Sequence, residues 1–160
     1  MSSIKVTGDT AALLKRIAAL RSVDTAGAMS AIAEGLRTST VERFDKSMSP
    51  EGKKWKTSVR ARDTGGKTLI KTSNLRNSIR SESDRSGMAV GTNTVYAATH
   101  QFGADRLIKP KRKKVLRFQI NGSWVSAKQV KVRIPARPFL GISEEDDEEI
   151  KDILDDMMKG

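Results

Sequence analysis

The sequence predicts an α+β fold: an antiparallel sheet with a long helix packed on one face, a protruding basic β-hairpin and a C-terminal acidic helix. Three observations point to it. Apolar residues recur at three- and four-residue spacing from Asp24 to about Lys46. Asn121-Gly122 separates two runs of alternating apolar character, the strongest short-range hairpin signal. Ser143, with Asp146 three positions on, forms a capping signal in front of six consecutive acids and an apolar stripe. A chain of 160 residues with 37% apolar content supports one core, so 1–160 is expected to be a single domain.

Residues 1–8 are expected to be flexible. Asp9 or Thr10 can then cap a short amphipathic helix with Leu13, Leu14, Ile17 and Leu20 on one side and Lys15, Arg16 and Arg21 on the other. Asp24 or Thr25 caps the long helix, whose stripe is Met29, Ile32, Ala33, Leu36, Thr40 and Phe44. Ser49-Pro50-Glu51-Gly52 is a turn by its chemistry, and Trp55 behind it is expected to close over the end of that helix, with Lys53, Lys54 and Lys56 in solvent. Residues 57–67 are polar and without period, which predicts a mobile loop. Thr72 or Ser73 caps a turn holding Leu75. Ser78–Asp84 alternates like an exposed strand and turns back through Arg85-Ser86-Gly87 into Met88-Ala89-Val90.

The stretch Gly91–Gly103 joins sheet to helix. Its Tyr96, His100 and Phe102 supply much of the chain's few aromatic rings, and burying them would be worth several kcal/mol at roughly 25 cal/mol per Å². Residues 105–133 form the expected basic hairpin arm. Asp105–Arg137 holds eleven basic residues against one acid, and Leu116, Phe118 and Ile120 at period two imply one buried face, with Arg117 on the other. Ile134-Pro-Ala-Arg-Pro138 must be extended, Phe139, Leu140 and Ile142 follow as apolar contacts, and the last helix carries Ile150, Ile153, Leu154 and Met157 as a buried stripe.

Net charge is +11, unevenly placed. From Glu144 onward nine acids meet two lysines, a net −7, whereas Met1–Ser143 carries 28 basic and 10 acidic residues, a net +18. Such polarity suits an anionic partner or contact between copies of the chain. The absence of Cys excludes disulfides and thiolate metal sites, and no apolar run approaches the roughly 20 residues a membrane span needs, so the expectation is a soluble protein without a membrane partner.

The signals for chemistry are weak. His100 is the only histidine, so a packed, hydrogen-bonded ring is favoured over a general base or metal ligand. Gly65-Gly66-Lys67-Thr68 ends like a phosphate-binding loop, but Ala61 stands where the first glycine belongs and no apolar strand precedes it. Glu144, Glu145, Asp146, Asp147, Glu148 and Glu149 occupy the first turns of one helix and point in several directions. That is the pattern of a solvated terminus matched to the helix dipole, not of a metal site. There is no Gly-x-Ser-x-Gly elbow and no Cys nucleophile. The residues give no catalytic, cofactor or metal site, and a non-enzyme is expected.

Three segments in this order carry a resemblance: SPEGKKWK at Ser49–Lys56, YAATHQFG at Tyr96–Gly103 and IPARPFLGIS at Ile134–Ser143, with LIKTSNLRNSI at Leu69–Ile79 between the first two. Together they resemble the phage virion morphogenesis family, which includes tail completion proteins of contractile-tailed phages and Mu-like prophages, over about Ala26–Asp155. Trp55, Tyr96, His100, Phe102, Gly103, Arg137, Pro138 and Phe139 match its motif positions, and relatives commonly carry Gly at the place of Ser73.

The resemblance implies a virion protein assembled in the host cytoplasm and placed at the neck end of the tail. It implies a ring of identical copies, a hexamer, touching the tail tube and sheath or the neck and connector proteins. A ring needs two unlike matching patches, and the expected pair is Lys109, Lys111, Arg112, Lys113 and Lys114 against Glu144–Glu149. The alternative is a basic DNA-binding protein acting during virion assembly or packaging. The two readings meet if a basic lumen contacts DNA non-specifically.

Overall fold

The computed structural model describes residues 15, 24–120 and 122–159. The expected flexible segment 1–8, the amphipathic helix after it (Lys15, helical and exposed, excepted) and Asn121 of the hairpin turn lie outside the described residues. The fold is α+β. Helix α1 (Thr25–Lys46) is followed by two short helices, α2 (Val59–Thr64) and α3 (Asn74–Asn77), and by strands β1 (Arg80–Ser83) and β2 (Met88–Gly91). Helix α4 (Ala97–Phe102) leads into β3 (Ala104–Ile108), β4 (Leu116–Ile120), β5 (Ser123–Ala127) and β6 (Val130–Ile134), and α5 (Glu144–Lys159) follows.

In place of the single sheet expected from the sequence, the described residues form three antiparallel two-stranded ladders, β1–β2, β3–β6 and β4–β5. The β1–β2 hairpin lies against α1, and its turn is tied by Asp84, whose Oδ1 accepts from the amides of Ser86 and Gly87 at 2.7 and 3.0 Å. The other two ladders are nested: β3 and β6 form the base of the arm, β4 and β5 its tip. Among the described residues no helix makes an extensive contact with the tip, so the face expected to be buried there is only partly covered. Leu116 and Phe118 are only half-buried, and Ile120 is exposed.

Helix α1 follows its sequence signal. Asp24 caps it through a 2.9 Å bond accepted from the Gly27 amide, and Ser47 ends it in the left-handed conformation. Ala28, Ile32, Ala33, Leu36, Thr40 and Phe44 are buried as one stripe, and Arg43, a charged residue, is buried with them. The main core joins Phe44, Trp55, Leu75, Ile79, Ala97 and Phe139. Phe44 meets Trp55 edge-on at 5.6 Å between centroids and Phe139 at 5.2 Å.

Residues 57–67 are not simply a loop. Ser58 caps α2 by accepting from the Ala61 amide, Ala61 is buried, and Gly65 closes the helix at φ +67°. Six residues are too short a run for a periodic signal to emerge. This also settles the Gly-Gly-Lys-Thr segment: it follows a helix, whereas a phosphate-binding loop opens one. Lys67 pairs with Asp45, and Thr68 is buried, its hydroxyl accepting from the Ser58 amide.

Ser73 holds φ +59° and makes no capping bond through its side chain. This is a conformation glycine adopts without a Cβ clash. Ser73→Gly is therefore expected to stabilise the fold by roughly 0.5–1 kcal/mol, the relief of backbone strain exceeding the added freedom of the unfolded chain. A urea midpoint unchanged or lowered by this substitution would contradict it.

Candidate assembly surfaces

The three motif segments converge on one place. Trp55, from the turn after α1, donates through Nε1 to the carbonyl of Pro138 at 2.8 Å, and Arg137 Nε donates to the carbonyl of Lys56 at 2.8 Å. From α4, the His100 carbonyl accepts from the Arg137 amide at 2.7 Å. The Gln101 side chain accepts from the amides of Phe139 and Leu140 and donates to the Leu140 carbonyl. The main chain of this extended, Pro-bounded segment is satisfied by the Trp55 and Gln101 side chains and the His100 carbonyl. Gly103, at φ +76°, lies so close to Ile134 and Ala136 that a Cβ there would stand 2.8 Å from their backbone. Trp55, Arg137, Pro138, Phe139 and Gly103 thus staple the fold.

Tyr96, His100 and Phe102 depart from the expectation of burial. Phe102 is 78% exposed, Val95 97% and Tyr96 46%, because the inner side of α4 is formed by Ala97 and Gln101 instead. The half-buried His100 ring lies edge-on to Tyr96 at 5.9 Å, and its buried Nδ1 has no hydrogen-bond partner, so the expected hydrogen-bonded ring is not what forms. Burial, with the nearby Arg137 charge adding to it, lowers its pKa and favours the neutral imidazole.

The acidic cluster divides. Asp146 is 4% exposed and paired with Arg43, itself 5% exposed. Arg43 also donates to the carbonyls of Phe139 and Gly141 and to Ser39 Oγ at 3.1, 2.8 and 2.9 Å. Asp146 accepts from the Ser143 amide at 2.7 Å, while its own amide donates to Ser143 Oγ at 3.2 Å, a reciprocal capping box. Burial pushes the Asp146 carboxyl up. Hydrogen bonds from Ser39 and from the Ser143 amide and hydroxyl, with the Arg43 charge, outweigh this and hold it below the ordinary aspartate range.

Asp146 therefore drops out of the proposed intersubunit patch, and the expectation that all six acids are solvated is corrected. Glu144, Glu145, Asp147, Glu148 and Glu149 are exposed. Sequence reasoning missed Arg43 as the counterpart, although its position seven residues after Leu36 puts it on the apolar stripe. The stripe expected on α5 is only half-buried at Ile150, Ile153, Leu154 and Met157.

On the arm, directly paired residues share a face. Leu116, Phe118, Ile120, Val125 and Ala127 line one face of the tip, while Arg117, Gln119, Trp124 and Ser126 line the other. Trp124 is 65% exposed, with the Arg117 guanidinium 5.6 Å from its ring centroid. Lys109, Lys111, Arg112, Lys113 and Lys114 are exposed between β3 and β4, and among the described residues no ion pair joins them to α5. An open groove of about 740 Å³ runs between α1, the 48–52 turn and the head of α5, with Glu42, Lys46, Glu51 and Glu145 on its walls. Among the described residues no group of three or more His, Cys, Asp or Glu could share a metal ion, and no helix is long and apolar enough to cross a membrane.

A model of the phage virion morphogenesis family matches residues 7–159 of the chain. The chain is also 33% identical over 129 residues to the Mu-like prophage FluMu G protein 2 of Haemophilus influenzae, an alignment covering 81% of this chain and 72% of that protein. No solved structure matches it. These matches place the chain among the proteins of phage particle assembly. It belongs to the phage virion morphogenesis family.

Proposed function

We propose that the chain is a tail-completion subunit, a structural and non-catalytic protein that closes the neck end of the phage tail as a hexameric ring and joins it to the head side. It would assemble in the host cytoplasm against the tail tube and sheath or the neck and connector proteins. Family membership supports the setting. The observation that carries the ring is the pair of opposite charges left without each other inside one chain, exposed lysines and an arginine at 109–114 and exposed acids on the first turns of α5. A closed ring joins each copy to the next through two unlike patches, and these are complementary in sign.

Sedimentation at low and high salt tests the ring, because pairing between exposed charges is screened over about 8 Å at physiological ionic strength. Lys111, Lys113 and Lys114 changed to Glu should disperse it, as should Glu144, Glu145 and Glu148 changed to Lys. Mixing the two variants should restore a species alternating between them. Asp146 stays untouched because it holds the fold, and a thermal melt of each variant separates lost assembly from lost folding. Assembly indifferent to salt and to both reversals overturns the charged interface. For tail completion itself, particles made without the protein should show full heads unjoined to tails of abnormal or uncapped length.

Arg117 stacked on the exposed Trp124 within a basic arm supports the second reading, non-specific contact with DNA. Duplex binding by the monomer with a steep salt slope, together with no self-assembly, would make DNA binding primary.

A further inference from the structure

Resting on the ring reading, we infer that the exposed ridge of Val95 and Tyr96, just ahead of α4, and Phe102, its last residue, is the seat for the tip of the arm of a neighbouring copy, with Ile120 and Trp124, which flank the hairpin turn on opposite faces of the ladder, straddling it. Among the described residues, two of the exposed apolar surfaces carry aromatic side chains. One is this ridge at the two ends of α4, and the other is the tip ladder, whose strands, among the described residues, pack mainly against each other. Isolated exposed apolar residues need no explanation, but exposed aromatic side chains, Tyr96 and Phe102 at one site and Trp124 at the other, are of the kind enriched at the centres of protein interfaces.

The reach of the arm favours a neighbour over its own body. Two nested ladders of five-residue strands can carry the tip about 30 Å from the base. A chain of this length packs to a radius of gyration of about 15 Å.

Charge complementarity selects a second copy as the occupant. The ridge lies at the two ends of α4, and α4 is bonded through His100 and Gln101 to the 137–140 segment. Arg43 ties that same segment to Asp146 in the first turn of α5. The apolar seat and the exposed acids of α5 are thus fixed to one short piece of chain. An arm arriving from a neighbour meets both, its tip on the ridge and its 109–114 lysines near the acids. Phosphate would match the lysines but would leave the apolar ridge of α4 uncovered.

The chain has no cysteine, so introduced thiols report on this contact alone. Phe102→Cys and Trp124→Cys are combined in the full-length protein, purified at low salt and oxidised with copper phenanthroline. Both positions are exposed, so the core is not disturbed, and Val95→Cys with Ile120→Cys serves as a second pair if the loss of two aromatic rings weakens assembly. The expected result is a ladder of covalent oligomers in each double variant. An equal mixture of the two single variants should give dimers only, and neither single variant alone should give any.

A ring seen by native mass measurement with neither pair cross-linking overturns this contact and leaves the ring reading standing. A protein that stays monomeric at every salt concentration overturns the ring reading, and this contact with it. In the single variant Trp124→Cys, protection of the introduced thiol from maleimide by added duplex DNA, with no protection from self-assembly, assigns the tip to DNA and also overturns it.

Discussion

Asp146→Ala is expected to cost about 3–5 kcal/mol of folding stability, a large share of what a domain of this size possesses. The substitution leaves the Arg43 guanidinium buried and charged without its carboxylate, still bonded to two carbonyls and a hydroxyl. It also removes the acceptor of the Ser143 amide, opening the capping box that starts α5. The buried charge matters more than the lost attraction, because an unpaired ion in the interior carries an uncompensated desolvation penalty.

Replacing both partners with apolar residues, Arg43→Met with Asp146→Leu, should therefore recover part of the loss. Urea unfolding of Arg43→Met, Asp146→Leu and the double variant checks this, and a double variant as weak as the sum of the two singles would argue against the ion pair as the cause.

The same carboxyl gives the pH dependence a sign. Its folded pKa lies below that of the unfolded chain, so its contribution is present in full above the unfolded value, roughly pH 4. It is lost as pH falls through the folded value. Asp146→Asn should remove this part of the acid sensitivity, and stability profiles of parent and variant should converge toward low pH.

Phe139→Ala should cost a comparable amount, about 3–5 kcal/mol. Phe139 is fully buried against Phe44, and its amide and carbonyl are held by Gln101 and Arg43, so the backbone is not free to collapse into the space left. The cost of a large-to-small change rises with the cavity that survives. Phe139→Leu, which keeps most of the volume, should cost clearly less. Equal losses for Leu and Ala in a denaturant titration would show that packing at this position is not what matters.

Local signals read well where one residue type does one job at a fixed spacing. Asp24 as a cap, the α1 stripe, the Ser143–Asp146 box and the Asp84–Gly87 turn all rest on backbone groups within four residues of the side chain that satisfies them. Trp55 closing over the end of α1 was legible too, because a large ring beside a Pro-Gly turn has one nearby apolar surface to cover. The motif segments could be picked out in sequence, but what they do with one another could not. The bonds from Trp55 to Pro138 and from Arg137 to Lys56 cross about eighty residues, and no spacing rule spans that.

The sequence by itself determined the α+β class, the long helix, the arm and the division into a basic body and an acidic end, since periodicity, turn chemistry and charge are properties of neighbours along the chain. Only the tertiary structure decided that Asp146 belongs to Arg43 and not to solvent. It alone decided, too, that Phe102, Tyr96 and Ile142 face outward while Ala97 faces in. A side chain is buried or exposed according to what packs against its element, and for α4 and α5 the packing surface arrives from distant segments of the chain.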